Sequence, residues 1–318
     1  MTTHFDTLRA ITDHRGNRSG EKIEKHPAVL FWGYAGCHGI PHSRHPFLSG
    51  VTMQHRFVRA LAAALLLAAA PTVLTAPSSA APRYGAKTVY VALGDSFSAG
   101  LGADGPIDGC GRSAKGYPAL WAKAHSIASF VNAACGGAVS GDVLGSQLSG
   151  LSAKTEVVTI TLGGNDVQLG DQVSACLLRD DQGCRTLIDD FTTNLPARTA
   201  AVTEVYAAIR TAAPKADVYV LGYPRLFDTG GSCTSPLTPT LDERRVLNGA
   251  TDALNSVLAQ RATDAGFRFV DVRAAFAGHG VCSSSSWINP AASFPAPLHP
   301  TTDGYRDGYL AALSAVTG

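Results

Sequence analysis

Apolar positions between residue 83 and the C-terminus fall into two alternating rhythms. Short continuous apolar runs, rich in β-branched residues, occur at 88–93 (TVYVAL), 129–134, 156–162 (EVVTITL), Asp217–Leu221 (DVYVL) and 267–272. Such runs predict strands buried on both faces. Between them, apolar residues recur at helical spacing. Helices are predicted at Tyr117–Ala124, 142–148, 186–213 with an interruption at Pro196, 241–265 and 301–316, the last burying Tyr305, Tyr309, Leu310 and Leu313. Buried strands separated by helices predict a single-domain three-layer α/β/α sandwich with a mostly parallel sheet. No internal repeat and no Gly/Ser-rich linker divides residues 81–318, so one domain is expected there.

The first 80 residues follow another pattern. His55, Arg56 and Arg59 precede an unbroken apolar run at 60–70, which stops at Pro71 and passes into small residues through Ser78, Ser79, Ala80 and Ala81. Basic start, apolar middle and small-residue end make a secretory signal peptide at 53–80, with cleavage expected after Ala80 or Ala81. The run is too short to span a bilayer, so no stable membrane anchor is expected. Met53 is the only methionine after Met1, and residues 1–52 carry six of the ten histidines without the later periodicity. That stretch is expected to be a non-native, unstructured upstream extension. His38, His42 and His45 have ligand-like spacing, but Gly39, Pro41 and Pro46 break any helix that would present them to a metal.

Composition narrows the function. The chain is 45% hydrophobic and 16% charged, a globular balance. Residues 81–318 hold 18 basic and 21 acidic side chains, which offers no attraction to nucleic acid or anionic lipid. Cys37 falls in the leader region; Cys110, Cys135, Cys176, Cys184, Cys233 and Cys282 remain. An even number in an exported chain implies disulfides. Six cysteines allow 15 pairings, of which the sequential one is the simplest. No C-x-x-C occurs, which argues against zinc or thioredoxin-like chemistry.

Four strand or loop ends carry candidate chemistry. Gly94-Asp95-Ser96 follows the first strand, where open α/β folds place their ligands. Ser96 there is either a nucleophile at a helix start or a helix cap. Cys135-Gly136-Gly137 follows the second strand, and glycine lets a main-chain N–H approach a ligand. Gly163-Gly164-Asn165-Asp166 follows the third and supplies an amide donor. Leu298-His299-Pro300 precedes the last helix; His125 sits instead at a helix end and His279 in a glycine-flanked loop. Taken alone, the two glycine strings are more often turns and a lone histidine is more often structural, while nucleophile and cap are equally expected for Ser96.

Together, and in this order, the four strings resemble the four blocks of the SGNH (GDSL) hydrolase family across residues 88–305. Their spacing and the cysteine pattern are similar to its secreted actinomycete lipases and esterases. The resemblance implies an SGNH-hydrolase/flavodoxin-like fold and a carboxylic ester hydrolase. Ser96 would form an acyl-enzyme, with His299 as general base. The oxyanion hole would comprise the Ser96 and Gly137 N–H groups and the Asn165 side-chain amide. It implies the sequential bridges Cys110–Cys135, Cys176–Cys184 and Cys233–Cys282.

One position departs from the family, which often carries aspartate three residues before the histidine; here it is Ala296. Resemblance to secreted actinomycete members that use a main-chain carbonyl instead implies a Ser–His dyad, with the carbonyl of Ala296 or Pro297 accepting from Nδ1; Asp303 is expected to serve the helix start.

Rival readings fail on context. Gly100 to Gly105 matches G-x-G-x-x-G but is followed by Pro106, Gly109 and Cys110 instead of a helix. Ser98 replaces the second glycine of the G-x-S-x-G elbow. A catalytically inactive exported binding protein is the reading from another class, although no block is missing. The expected substrate is a small-molecule or lipid ester, on the fatty-acyl side of a family that includes phospholipases A and carbohydrate deacetylases. No cofactor, metal or nucleic-acid partner is expected, and the product is expected to be a secreted, extracellular monomer. Loops 101–116, 223–240 and 277–298 are candidates to line an acyl groove.

Overall fold

The structure is a computed structural model that describes residues 83–230, 233 and 237–318. The expectations for residues 1–80 lie outside the described residues.

Five parallel strands form one sheet in the order β2-β1-β3-β4-β5, comprising β1 (Val89–Gly94), β2 (Ser129–Asn132), β3 (Val157–Thr161), β4 (Asp217–Leu221) and β5 (Arg268–Val270). Register runs Tyr90 to Phe130 on one side of β1 and Tyr90 to Val157 on the other. This is the doubly wound order, whose direction of winding reverses beside β1. β3 is buried at all five positions and β1 at five of six, which explains their unbroken apolar runs.

Both faces of β1 are covered. Tyr90 meets Trp121 of the helix Tyr117–Ala124 edge to face, with ring centroids 5.0 Å apart. Its neighbour Val91 points the opposite way, toward the 3-10 turn Leu148–Gly150. Aromatic pairs of this kind add about 0.5–1.5 kcal/mol beyond the burial of their area. One continuous apolar core joins the strands to the helices Asp181–Arg198, Ala200–Ala212 and Leu241–Asp264. Thr240 and Glu243 close a reciprocal capping box at the start of the last of these, which fixes where it begins. Among the described residues, no helix is long and apolar enough to cross a membrane.

Several boundaries differ from the pattern reading. The expected interruption at Pro196 is absent. The helix passes through that residue and breaks at Thr199, whose N–H and hydroxyl both bond the Leu195 carbonyl while the Pro196 carbonyl is taken up by Arg261 at 2.6 Å. The same helix starts at Asp181, five residues earlier than expected, because the Asp180 carboxylate caps it through the Gly183 N–H at 2.7 Å. The helix Leu169–Cys176 had no signal strong enough to separate it from a loop. The stretch expected at 142–148 begins as a short helix at Ser140–Asp142 and widens into a π turn at Val143–Gln147. A second π turn, Gly304–Leu310, opens the final helix, which ends as Ala311–Thr317. Strands β2 and β5 end earlier than drawn, at Asn132 and Val270. The three bridges are Cys110–Cys135, Cys176–Cys184 and Cys233–Cys282, the sequential pairing.

Candidate active site

At the C-terminal end of β1, Gly94 takes φ +117°, and a Cβ there would run into the carbonyl of Thr161. Only glycine fits that approach. Gln147, buried at 3% exposure, holds this residue by both backbone groups: its Oε1 accepts from the Gly94 N–H at 2.7 Å and its Nε2 donates to the Gly94 carbonyl at 2.9 Å. The chain then turns at once into the one-turn helix Ser96–Ala99. The cap of that helix is Asp95, whose Oδ1 accepts from the Phe97 N–H at 2.9 Å. Ser96 is therefore the first residue of the helix and not its cap, which leaves its hydroxyl to face elsewhere.

It faces His299. The Ser96 Oγ lies 2.7 Å from Nε2, and the Pro297 carbonyl lies 2.8 Å from Nδ1. A carbonyl can only accept, so Nδ1 carries the hydrogen and Nε2 presents its lone pair to the serine hydroxyl. Of the two carbonyls expected for this task, Pro297 performs it. That of Ala296 lies instead 3.5 Å from the His299 N–H. Leu298 between them takes φ +59°, a left-handed conformation that turns the Pro297 carbonyl back onto the ring. Burial holds the imidazole down at about 4, only partly opposed by the Pro297 bond, so the ring is neutral at ordinary pH. Asp303 pairs with Arg306 at 2.8 Å at the helix start. Among the described residues, the other two histidines serve structure. His125 ties Trp121 to the C-terminal Gly318, and His279 stacks on Trp287 with centroids 3.5 Å apart.

Loops after β2 and β3 complete the cluster. Gly137, at φ +77°, sits in a segment anchored by the Cys110–Cys135 bridge and by the Gly136 N–H bonding the Cys110 carbonyl at 2.8 Å. A Cβ on Gly136 would come within 4.0 Å of the Ser96 Cβ, which places this segment beside the serine. Asn165 Nδ2 donates to the Ala138 carbonyl at 3.0 Å, fixing the plane in which its second hydrogen lies. Asp166 Oδ1 accepts from the Ser140 N–H at 3.0 Å and ties the two loops together. Ser96, Gly137, Asn165 and His299 thus share one sheet edge, with the serine at a helix N-terminus where the dipole favours negative charge.

Two residues of the neighbourhood were not legible as partners. Tyr223, after β4, donates its hydroxyl to Asp95 Oδ2 at 2.5 Å and accepts from the Gly164 N–H at 2.8 Å. Desolvation drives the Asp95 carboxyl up to about 7, against the bonds from Tyr223, Phe97 and Ser98 that pull it down. A β-strand followed by a tyrosine gives no sequence signal of such a contact.

Beside His299, a groove of about 330 Å³ runs between the segments 101–107 and 289–296, lined by Leu101, Gly102, Ile107, Asn289, Phe294 and Ala296. Ile107 and Phe294 stand out at 42% and 55% exposure. None of the described residues of loop 223–240 lines this groove. Arg225, Phe227, Asp228 and Thr229 border a separate charged cleft where Asp252 pairs with Arg225 and Arg273.

Residues 92–306 match the description of the GDSL-like lipase/acylhydrolase family. The chain is 42% identical to a lipase of Streptomyces rimosus over 268 residues, covering 81% of this chain and 97% of that one. It is 41% identical over 259 residues to lipase 1 of Streptomyces coelicolor, covering 79% and 94%. Among solved structures, the extracellular lipase of Streptomyces rimosus superposes with TM-score 0.67 at 43% identity, covering 72% of this chain and 100% of that one. Phospholipase A1 of Streptomyces albidoflavus gives 0.67 at 42% identity, covering 72% and 99%. With its family blocks gathered at one sheet edge and its relatives matched nearly end to end, the chain belongs to the GDSL-like lipase/acylhydrolase family and is a carboxylic ester hydrolase.

Proposed function

We propose that this chain is an exported lipase or esterase that cleaves fatty-acyl esters through an acyl-enzyme on Ser96. His299 Nε2 takes the serine proton as Oγ attacks the ester carbonyl, then passes it to the leaving alcohol; water repeats the sequence to release the acid. The N–H groups of Ser96 and Gly137 and the amide of Asn165 hold the developing oxyanion. Each such donor typically contributes about 10²–10³ in turnover. The observation that carries the reading is the 2.7 Å contact of Ser96 Oγ with an imidazole whose tautomer is set from behind. Leu101, Ile107 and Phe294, in a groove that reaches His299 at Gly102, support a hydrocarbon chain in the substrate.

Export is supported by the three bridges and by the leader-like segment at 53–80. Sequencing the N-terminus of protein recovered from culture medium tests it; a mature chain that retains residues 1–52 overturns it. The enzyme is proposed to act as a monomer without a cofactor.

A series of p-nitrophenyl esters of increasing acyl length, on the wild type and on Ser96→Ala, tests the mechanism. Hydrolysis by the wild type alone is the expected result, and equal activity of Ser96→Ala overturns it. The likeness to a phospholipase A1 favours a second substrate class, glycerophospholipids. Comparing phosphatidylcholine with a triacylglycerol in the same assay separates the two.

A further inference from the structure

Three donors from three loops stabilise an oxyanion only if the loops keep a common register. The Ser96 turn and the Asn165 loop leave adjacent strands, β1 and β3, so sheet hydrogen bonds align their roots. At the end of β3, Thr161 accepts from the Asp95 N–H and donates its own N–H to Ser98 Oγ. Farther out, Tyr223, 2% exposed, touches both the turn and the loop. Its hydroxyl donates to Oδ2 of Asp95, whose Oδ1 caps the Ser96 helix, and accepts from the N–H of Gly164, next to Asn165. A Cβ on Gly164 would lie 3.0 Å from the tyrosine Oη, a tight contact. The tyrosine backbone is itself clamped. Its N–H donates to Asn255 Oδ1 and its carbonyl accepts from Asn255 Nδ2, both at 2.8 Å, from the long helix Leu241–Asp264. Its ring meets Phe97 edge to face at 5.1 Å.

We propose that Tyr223 is a positioning residue for ester hydrolysis, its hydroxyl locking the Asp95-capped nucleophile turn to the Gly164–Asn165 loop so that the Ser96 N–H and the Asn165 amide converge on one oxyanion. The proposal rests on the mechanism given above. It differs from a packing role in what it expects. Losing the bridge loosens donors that act in the transition state, so kcat falls while KM is nearly unchanged. A misplacement of about 1 Å can cost on the order of 10²-fold.

The test compares wild type, Tyr223→Phe, Asp95→Ala and the double variant at a temperature well below each melting point. The substrate is one p-nitrophenyl ester, and the probe is an alkyl trifluoromethyl ketone, which forms an oxyanion on the serine. Tyr223→Phe is expected to lose roughly 10- to 100-fold in kcat with KM within threefold, and to bind the ketone more weakly by a similar factor. The double variant is expected to be little worse than the poorer single, because both break one bridge. A Tyr223→Phe enzyme with a lowered melting point but kcat and ketone affinity within twofold of wild type overturns the proposal. So do single-variant losses that multiply in full. Should Tyr223→Phe fail to fold, Asp95→Ala, which removes the other end of the bridge, carries the same criteria. An inactive wild type would instead sink the parent mechanism, which separates the two failures.

Discussion

The imidazole of His299 is oriented by the main-chain carbonyl of Pro297, 2.8 Å from Nδ1 and only two residues back along the same loop. A carbonyl fixes the tautomer as well as a carboxylate does, but it brings no full charge to stabilise the imidazolium.

Asp303 should not matter as a triad acid. Asp303→Asn is expected to keep kcat/KM within about twofold, because Asp303 pairs with Arg306 and not with the ring. Removing a true triad aspartate costs about 10⁴-fold, so a loss of that size would overturn the dyad. Ala296→Asp should not improve turnover either, since Pro297 already occupies Nδ1 and the new carboxylate would enter the apolar groove. A selective loss on long-chain esters relative to acetate esters is expected.

The neutral ring sets the acid side of the pH profile. With His299 held near 4, kcat/KM should be level from about pH 5 upward and fall about tenfold per unit below 4. A midpoint near 6.5 would mean that the imidazole is not desolvated. The test is kcat/KM on an uncharged ester between pH 3 and 8.

Stability responds to the same burial with two opposite signs. Between pH 6.5 and about 4 the unfolded His299 takes up a proton that the folded ring refuses, so acid costs stability there. Asp95 does the reverse. Folded, it keeps its proton up to about 7 while the unfolded chain releases it near 3.8, so raising the pH through that window costs stability. Asp95→Asn is therefore expected to gain on wild type as pH rises from 4 to 7, at most about 1.4 kcal/mol per unit, in urea titrations. A difference independent of pH would show that Asp95 is not so shifted.

Close packing at Gly102 should make the site sensitive to a single methyl group. Gly102 takes φ +97°, and a Cβ there would lie 2.8 Å from the His299 Cβ and 2.7 Å from the Pro300 carbonyl. Gly102→Ala is expected to displace the ring from Ser96 and lower kcat by at least tenfold, read on a p-nitrophenyl ester. Unchanged kcat would mean that the 101–107 segment moves independently of the dyad.

The bridges should separate stability from activity. Loops of 25, 8 and 49 residues correspond to about 3.5, 2.5 and 4 kcal/mol in the chain-entropy account. Opening Cys110–Cys135 by paired serine substitutions should lower kcat as well as the melting temperature, because that bridge anchors the Gly137 segment. Opening Cys176–Cys184 should lower stability alone. Equal effects on kcat would deny the first bridge any role in the site.

What was legible in the chain followed from local physics. Apolar runs such as that of β3 are buried on both faces whatever surrounds them, so they announce a covered parallel sheet. The blocks around Ser96, Gly137, Asn165 and His299 were readable because their residue types are scarce in that conjunction. Helix edges at Asp181 and Thr199 were misread. Asp180 acts through a side-chain cap, and the turn after Pro196 is completed by Arg261 from another helix.

The amino-acid order by itself determined the layered fold class, the cysteines available for bridging and the four strings that hold the chemistry, because each depends on residues close in sequence. Tertiary structure alone decided that Pro297 and not Ala296 turns its carbonyl to the ring. It alone brought Tyr223 to Asp95 across 128 positions. It also brought Phe294 and Ile107 to the lining of one groove. Such contacts depend on how loops from distant strand ends meet, and no local preference encodes the meeting of two segments that are far apart along the chain.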